Sequence, residues 1–191
     1  MMRLLFMHGD YWFLGFIALV VVQLAYTMWR RAMRRKINDI ALDLFRSKKF
    51  TSNEEMAWYI AHDVMGAVGF EDCVVYKVDH ELRECIQLAA YGPKNLEKKT
   101  IVNPIQIPFG RGIVGHVAEY AILECIDDTS LDDRYVPDDD VRYSELSVPV
   151  MKDDKVVMVI DSERKKARGY SISDQVFVVA IAEIAAAKFI R

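Results

Sequence analysis

From Tyr11 to Trp29 the chain runs YWFLGFIALVVVQLAYTMW without a charge, and only Gln23 and Thr27 are clearly polar. Helical residues rise about 1.5 Å each, so this stretch covers the roughly 30 Å hydrocarbon core of a bilayer. Tyr11, Trp12, Tyr26 and Trp29 stand at its two ends, where interfacial aromatic belts form. A signal peptide would carry its positive charges before the apolar run and a small-residue cleavage site after it. Here R-R-A-M-R-R-K follows instead. The pattern predicts a short extracytoplasmic tail over 1–10 and a transmembrane helix over 11–29. Next, Met33, Ile37, Ile40 and Leu44 recur at spacings of four, three and four. Over a juxtamembrane helical stalk, 30–50, that spacing reads either as a coiled-coil seam or as an amphipathic helix lying on its own domain or on lipid. Ser47–Phe50 breaks it.

The remainder, 51–191, reads as one domain. Ser52 with Glu55 three residues on is a capping box, opening a helix through Met56, Tyr59, Ile60 and Val64. Cys73–Val78 and Cys85–Tyr91 alternate as strands about a charged turn. Pro93–Asn103 is a polar loop, and Pro104–Pro108 a short strand whose prolines suit a sheet edge. Gly112–Tyr120 is a short helix, Ile122–Ile126 a strand, and Asp127–Asp140 an acidic loop. Two more strands and a helix from about Asp174 to Ile190, capped by Ser171 or Ser173, complete the chain. About six strands in consecutive hairpins, with helices at either end, make an α+β sheet rather than a βαβ repeat.

Charge sharpens this picture. Arg3, Arg30, Arg31, Arg34, Arg35 and Lys36 against Asp10 give residues 1–36 a net +5, and the whole chain is −3, which leaves −8 beyond. The basic collar predicts a single-pass inner-membrane protein with its domain on the cytoplasmic side. An acidic domain behind that collar argues against a nucleic-acid partner, which needs clustered Lys and Arg on the domain itself.

Other motifs are weaker than they look. Gly110-x-Gly112-x-x-Gly115 matches the form of a dinucleotide fingerprint, but a Pro-interrupted strand precedes it and a short helix follows. Gly110 and Gly112 are better read as a tight turn, and Gly115 as close packing of helix on sheet. The acids Asp127, Asp128, Asp132, Asp133 and Asp138–Asp140 lack the alternation, central Gly and closing Glu of a calcium loop; Arg134 and Arg142 are expected to bridge some of them. Cys73, Cys85 and Cys125 show no metal spacing and read as small buried hydrophobes. His62, His80 and His116 are scattered, with His116 placed to face a cavity. No catalytic constellation stands out.

Taken in order, G-F-E-D-C-V-V-Y, A-A-Y-G-P-K-N, N-P-I-Q-I-P-F-G-R-G-I-V-G-H-V-A, D-x-R-Y, S-E-L-S-V-P-V and V-I-D-S-E resemble a bacterial GAF domain, over about Phe50 to Arg191. The likeness is to GAF modules beside membrane-bound sensor histidine kinases. It implies a six-stranded antiparallel sheet with helices on both faces: the first and last helices on one, and on the other a small-molecule pocket covered by the short helix and the acidic loop. The implied role is signal sensing, with homodimerisation through the terminal helices, or else a ligand-free interaction module serving a separate signalling output partner. The free methionine-(R)-sulfoxide reductases share this scaffold. Their cysteine positions hold Thr100–Asn103, Val114 and Asp138–Val141 here, although Glu145 and Asp161 match acidic pocket positions of that family; the expectation is not an enzyme, with a reductase-like activity as the remaining alternative.

The final hairpin fixes the expected site. A three-residue turn Lys152–Asp154 would pair Met151 with Lys155, Leu146 with Ile160, Val148 with Met158 and Val150 with Val156, giving one apolar face. The other face then sets Glu145 across from Asp161, with Ser147 beside them. Like charges that close need a proton, an arginine or a bound cation. Arg142 or Arg111 could neutralise the pair; alternatively an amine or guanidine ligand is gripped by both. The candidate ligand-binding set is Glu145, Asp161, Ser147, His116, Tyr135 and Arg142. No cofactor is indicated.

Overall fold

In the computed structural model of the chain, residues 7–96, 99–137 and 140–190 are described. Much of the expected tail, together with Asp138 and Asp139 of the acidic loop, falls outside them. The chain divides into two compact units, one ending at Ile40 and the other beginning at Ala41.

Helix α1 runs from Met7 to Ser47, so the expected span and stalk form one helix. Its apolar stretch has mean hydropathy 1.8 with none of it buried. Length and composition suffice to cross a membrane; a signal sequence near an N-terminus meets the same criterion.

The second unit begins earlier than residue 51. Ala41, Leu42 and Phe45 are buried, Phe45 completely, whereas Met33, Ile37, Ile40 and Leu44 are exposed. The Phe45 ring sits 5.8 Å from that of Phe50 and 5.9 Å from that of Tyr59. The face that packs on the domain is thus offset from the regular stripe. Lys188 Nζ donates to the terminal carbonyls of this helix, Arg46 O at 2.8 Å and Lys48 O at 2.7 Å, satisfying groups a helix end leaves open.

Helix α2, Asn53–Tyr59, is capped by Ser52, whose side chain accepts from Glu55 N. The Glu55 carboxylate reaches Thr51 rather than Ser52, so only half of the box closes. The chain then widens into π-helical turns over Ile60–Gly66. Strands β1 (Cys73–Asp79), β2 (Glu84–Tyr91), β5 (Gln106–Pro108), β6 (Glu124–Ile126), β7 (Ser144–Lys152) and β8 (Lys155–Arg164) form one sheet in the order β5-β2-β1-β8-β7-β6. Its neighbouring strands pair antiparallel among the described residues. The loop expected at Pro93–Asn103 contains a small hairpin, β3 (Asn95–Leu96) with β4 (Thr100–Ile101). Helix α3 spans Gly112–Tyr120. Helix α4, Ile172–Lys188, carries a complete capping box between Ser171 and Asp174.

The sheet separates two apolar layers. Phe45, Met56, Ile60, Val64, Phe177 and Ile181 cover one face through Leu146, Val148, Met158 and Ile160. On the other, α3 contributes Val114, Val117 and Ala118 against Val74, Tyr76, Cys85 and Val159.

The β7–β8 register differs from the expected one. Its turn has two residues, Asp153 (φ 49°) and Asp154 (φ 60°), with Lys152 opposite Lys155. Positive φ at both positions is the twist-matched hairpin turn. A straight ladder from that turn would put Asp161 on the helix side with Leu146. Instead the register shifts between Val150 and Met151: Met151 faces Val156, Val150 faces Met158, and Val157 has no partner. This bulge restores the apolar face and slides the expected pairs by two. Glu145 lies opposite Glu163, and Ser147 opposite Asp161.

Candidate functional site

Even-number slippage keeps faces while changing neighbours. Glu145, Ser147, Asp161 and Glu163 therefore still project together on the α3 side of the sheet. The three carboxylates Glu145, Asp161 and Glu163 meet a cavity of about 30 Å³ walled also by Asp72, Val74, Tyr76, Lys94, Ile107, Val136 and the Gly112–Val114 turn of α3; Ser147 is not among its described lining residues. Gly110 (φ 73°) and Gly112 (φ 66°) make the left-handed turn that lays α3 over it. A Cβ at Gly115 would stand 2.3 Å from Pro108 O, so only glycine lets this helix approach β5 so closely.

The acids constrain one another. The Ser147 hydroxyl lies 3.4 Å from Glu145 Oε1 and in very short contact with Asp161 Oδ1. A serine has one proton to donate, so both contacts are satisfied only when a carboxyl of the pair is protonated. Burial, then Asp161 and Glu163, push the Glu145 carboxyl well above the usual range. Burial, then Asp161 and Asp72, push Glu163 to about 9, even though part of its surface remains exposed.

Tyr135 and Arg142 stand behind these acids. The Tyr135 hydroxyl is hydrogen-bonded to Glu163 and accepts from Arg142 N at 3.0 Å; burial raises its own pKa. Arg142, only 2% exposed, places Nε 3.5 Å from Asp72 Oδ2, while Asp72 Oδ1 accepts from Glu163 N at 2.6 Å. Arg142 also lies 3.4 Å from Asp140. Arg111 lines a neighbouring chamber of about 240 Å³, which shares Ile107 and Val136 with the inner cavity.

His116 is placed elsewhere. Its Nδ1 lies 2.9 Å from Glu124 Oε1, off line for a hydrogen bond. Arg134 joins that carboxylate at 3.0 Å and Asp132 at 2.7 Å, tying the acidic loop to β6 beside α3. Sequence reasoning missed Glu163, Asp72 and Lys94. Glu163 follows Asp161 by the two-residue strand period, a usable signal; Asp72 and Lys94 arrive from loops, signalled only by their place in the stretches G-F-E-D-C-V-V-Y and A-A-Y-G-P-K-N.

None of the three cysteines is among the cavity's described lining residues. Burial raises all three thiols, Cys85 to about 12 and Cys73 well beyond the usual range. Among the described residues no group of three or more His, Cys, Asp or Glu side chains is placed to hold a metal.

Residues 51–188 match the family described as "GAF domain". The chain belongs to the GAF domain family. Protein YtsP of Bacillus subtilis (strain 168) is 26% identical over 111 residues, 54% of this chain and 68% of that protein. Among solved structures, the free methionine-R-sulfoxide reductase from Neisseria meningitidis in complex with its substrate superposes with a TM-score of 0.71 at 19% identity, over 84% of this chain and 90% of that one. The GAF domain from an Acinetobacter phosphoenolpyruvate-protein phosphotransferase gives 0.68 at 19% identity, over 82% and 92%. At such identities these two speak for the fold. The GAF fold here supplies the sheet, the α3 cover and the cavity.

Proposed function

We propose that this chain is a membrane-anchored sensory GAF protein whose cavity beneath α3 takes a small cationic ligand. The observation that carries the reading is the convergence of Glu145, Asp161 and Glu163 on one buried cavity. Carboxylates that must share protons when alone gain a counter-charge when a cation enters. Anchoring through α1, with the domain on the cytoplasmic side, rests on the apolar span and the basic collar behind it. A homodimer is supported by α4, where Ile172 and Val176 are 73% and 63% exposed on a helix whose other sides are buried. The role is recognition rather than catalysis, because no thiol borders the cavity, and the output passes to a separate signalling partner.

Calorimetry with small amines and guanidinium compounds tests this on the full chain in detergent. Saturable heats with these cations, and none with a neutral amide of similar size, are the expected result. Glu145→Gln or Asp161→Asn should weaken binding about 10–100-fold, the usual worth of a hydrogen bond to a charged group. Unchanged affinity in both variants would exclude this cavity as the site.

The cavity's size favours a second reading, a ligand-free interaction module. About 30 Å³ holds little more than a water, against the roughly 300–1,000 Å³ of drug-sized pockets. No binding across the amine series would select it.

A further inference from the structure

One residue in the wall of this cavity is itself a cation. Lys94 is 5% exposed, and a lysine is rarely so buried unless its charge is met. It is the single Lys or Arg among the cavity's described lining residues, beside Glu145, Asp161 and Glu163. Its Nζ donates to Asn103 O at 3.0 Å and Val102 O at 3.3 Å. Those carbonyls lie just beyond β4, and Val102 N donates back to Lys94 O at 2.7 Å. The lysine thus joins the acidic cavity to both ends of the β3–β4 hairpin. Lys99 (φ 59°) and Asn103 (φ 44°) are held there in the left-handed region, a conformation that non-glycine residues keep only where the surroundings hold them.

Resting on the cation-binding reading above, we propose that Lys94 is a tethered occupant of the site, and that the external ligand is a small primary alkylammonium which displaces it and frees the β3–β4 hairpin. The lysine side chain is itself an alkylammonium on a four-carbon stem. Its withdrawal would leave room for an alkylammonium beside Glu145, Asp161 and Glu163. The same withdrawal breaks both carbonyl contacts to Val102 and Asn103, so hairpin order reports whether the cavity is occupied. A ligand competing with an internal occupant binds with an affinity reduced by the fraction of molecules in which the site is open. That identifies Lys94 as the residue setting the ligand's working concentration.

The test uses the full chain in detergent, with n-butylammonium chloride as probe and tetramethylammonium chloride as the ionic-strength control. Binding is followed by calorimetry and the Val102 amide by hydrogen exchange. Wild type should bind n-butylammonium and lose protection at Val102, with no response to the control salt. Lys94→Met, which keeps most of the stem and removes the charge, should bind about tenfold more tightly if the lysine fills the site some nine-tenths of the time. Its Val102 amide should exchange fast before any probe is added. Wild type that binds while Val102 stays protected, or Lys94→Met that binds no better, overturns the displacement and leaves the cation site standing. Absence of binding to both proteins removes the cation site, and this inference with it. Should Lys94→Met fail to fold, the wild-type exchange measurement decides by itself.

Discussion

Glu163 ties the cavity to pH. Its carboxyl titrates at about 9 in the folded protein against about 4.3 in an unfolded chain, so between those values the folded state holds a proton the unfolded state has lost. Stability from this group is full below the unfolded value and drains away as pH rises through the folded one. Glu145 is shifted in the same direction and adds to the slope. Wild-type melting temperature should therefore fall between about pH 5 and 9, while Glu163→Gln, which cannot ionise, flattens the upper part of the curve. A thermal series across that range decides it, and an equally steep variant would remove Glu163 as the source. The acidic character of the site was legible, because Glu145 and Asp161 sit on the polar phase of two alternating strands. The particular partnerships were not, since a side chain's phase gives its face and leaves open which residue stands opposite.

Elements were readable in proportion to how local their causes are. Helix α3 spans Gly112–Tyr120, where turn glycines and helical spacing place it. The α4 cap is Ser171 with Asp174, since an N-cap needs only a neighbouring side chain. The π-helical turns at Ile60–Gly66 and the β3–β4 hairpin answer to packing from distant parts of the chain, which no short window contains. The same distinction separates the hairpin turn from its register: two aspartates at positive φ made the turn shorter, and the long-range demand for one apolar face made the bulge. Gly115 offers the clearest test at this scale. Gly115→Ala would press a methyl to 2.3 Å from Pro108 O and 3.4 Å from Gly110 N, lifting the helix that roofs the cavity. Overpacking of this kind costs about 1–3 kcal/mol. The denaturant midpoint should drop accordingly, and an unchanged midpoint would mean α3 is not seated against β5 as described.

At the scale of the whole molecule, the boundary between the long N-terminal helix and the domain matters most. The family match begins at residue 51, yet Phe45 is fully buried among the domain's aromatics. A fragment starting at 41 should fold as a soluble unit. One starting at 51 lacks Phe45 and should lose about 3–5 kcal/mol, the usual cost of deleting a buried phenylalanine. Chemical denaturation of the two fragments measures the gap, and equal stability would place Phe45 outside the core. The sequence hides this boundary, because the regular stripe Met33–Leu44 lies on one side of a helix that is buried on another.

Length variation along β8 does not weigh equally at every position. Val157 pairs with nothing on β7, and the pairing with β1 begins only at Met158. A relative lacking that residue would close the bulge and keep each partner from Val150 and Met158 onward. Loss of a residue further along, at Val159 for example, would turn Asp161 and Glu163 in among the helices and bring Ile160 round to the cavity. Aligned sequences of this family can thus differ in length before Met158 and still share an acidic cavity. A gap after it marks a chain whose cavity has different chemistry, whatever letters the alignment matches.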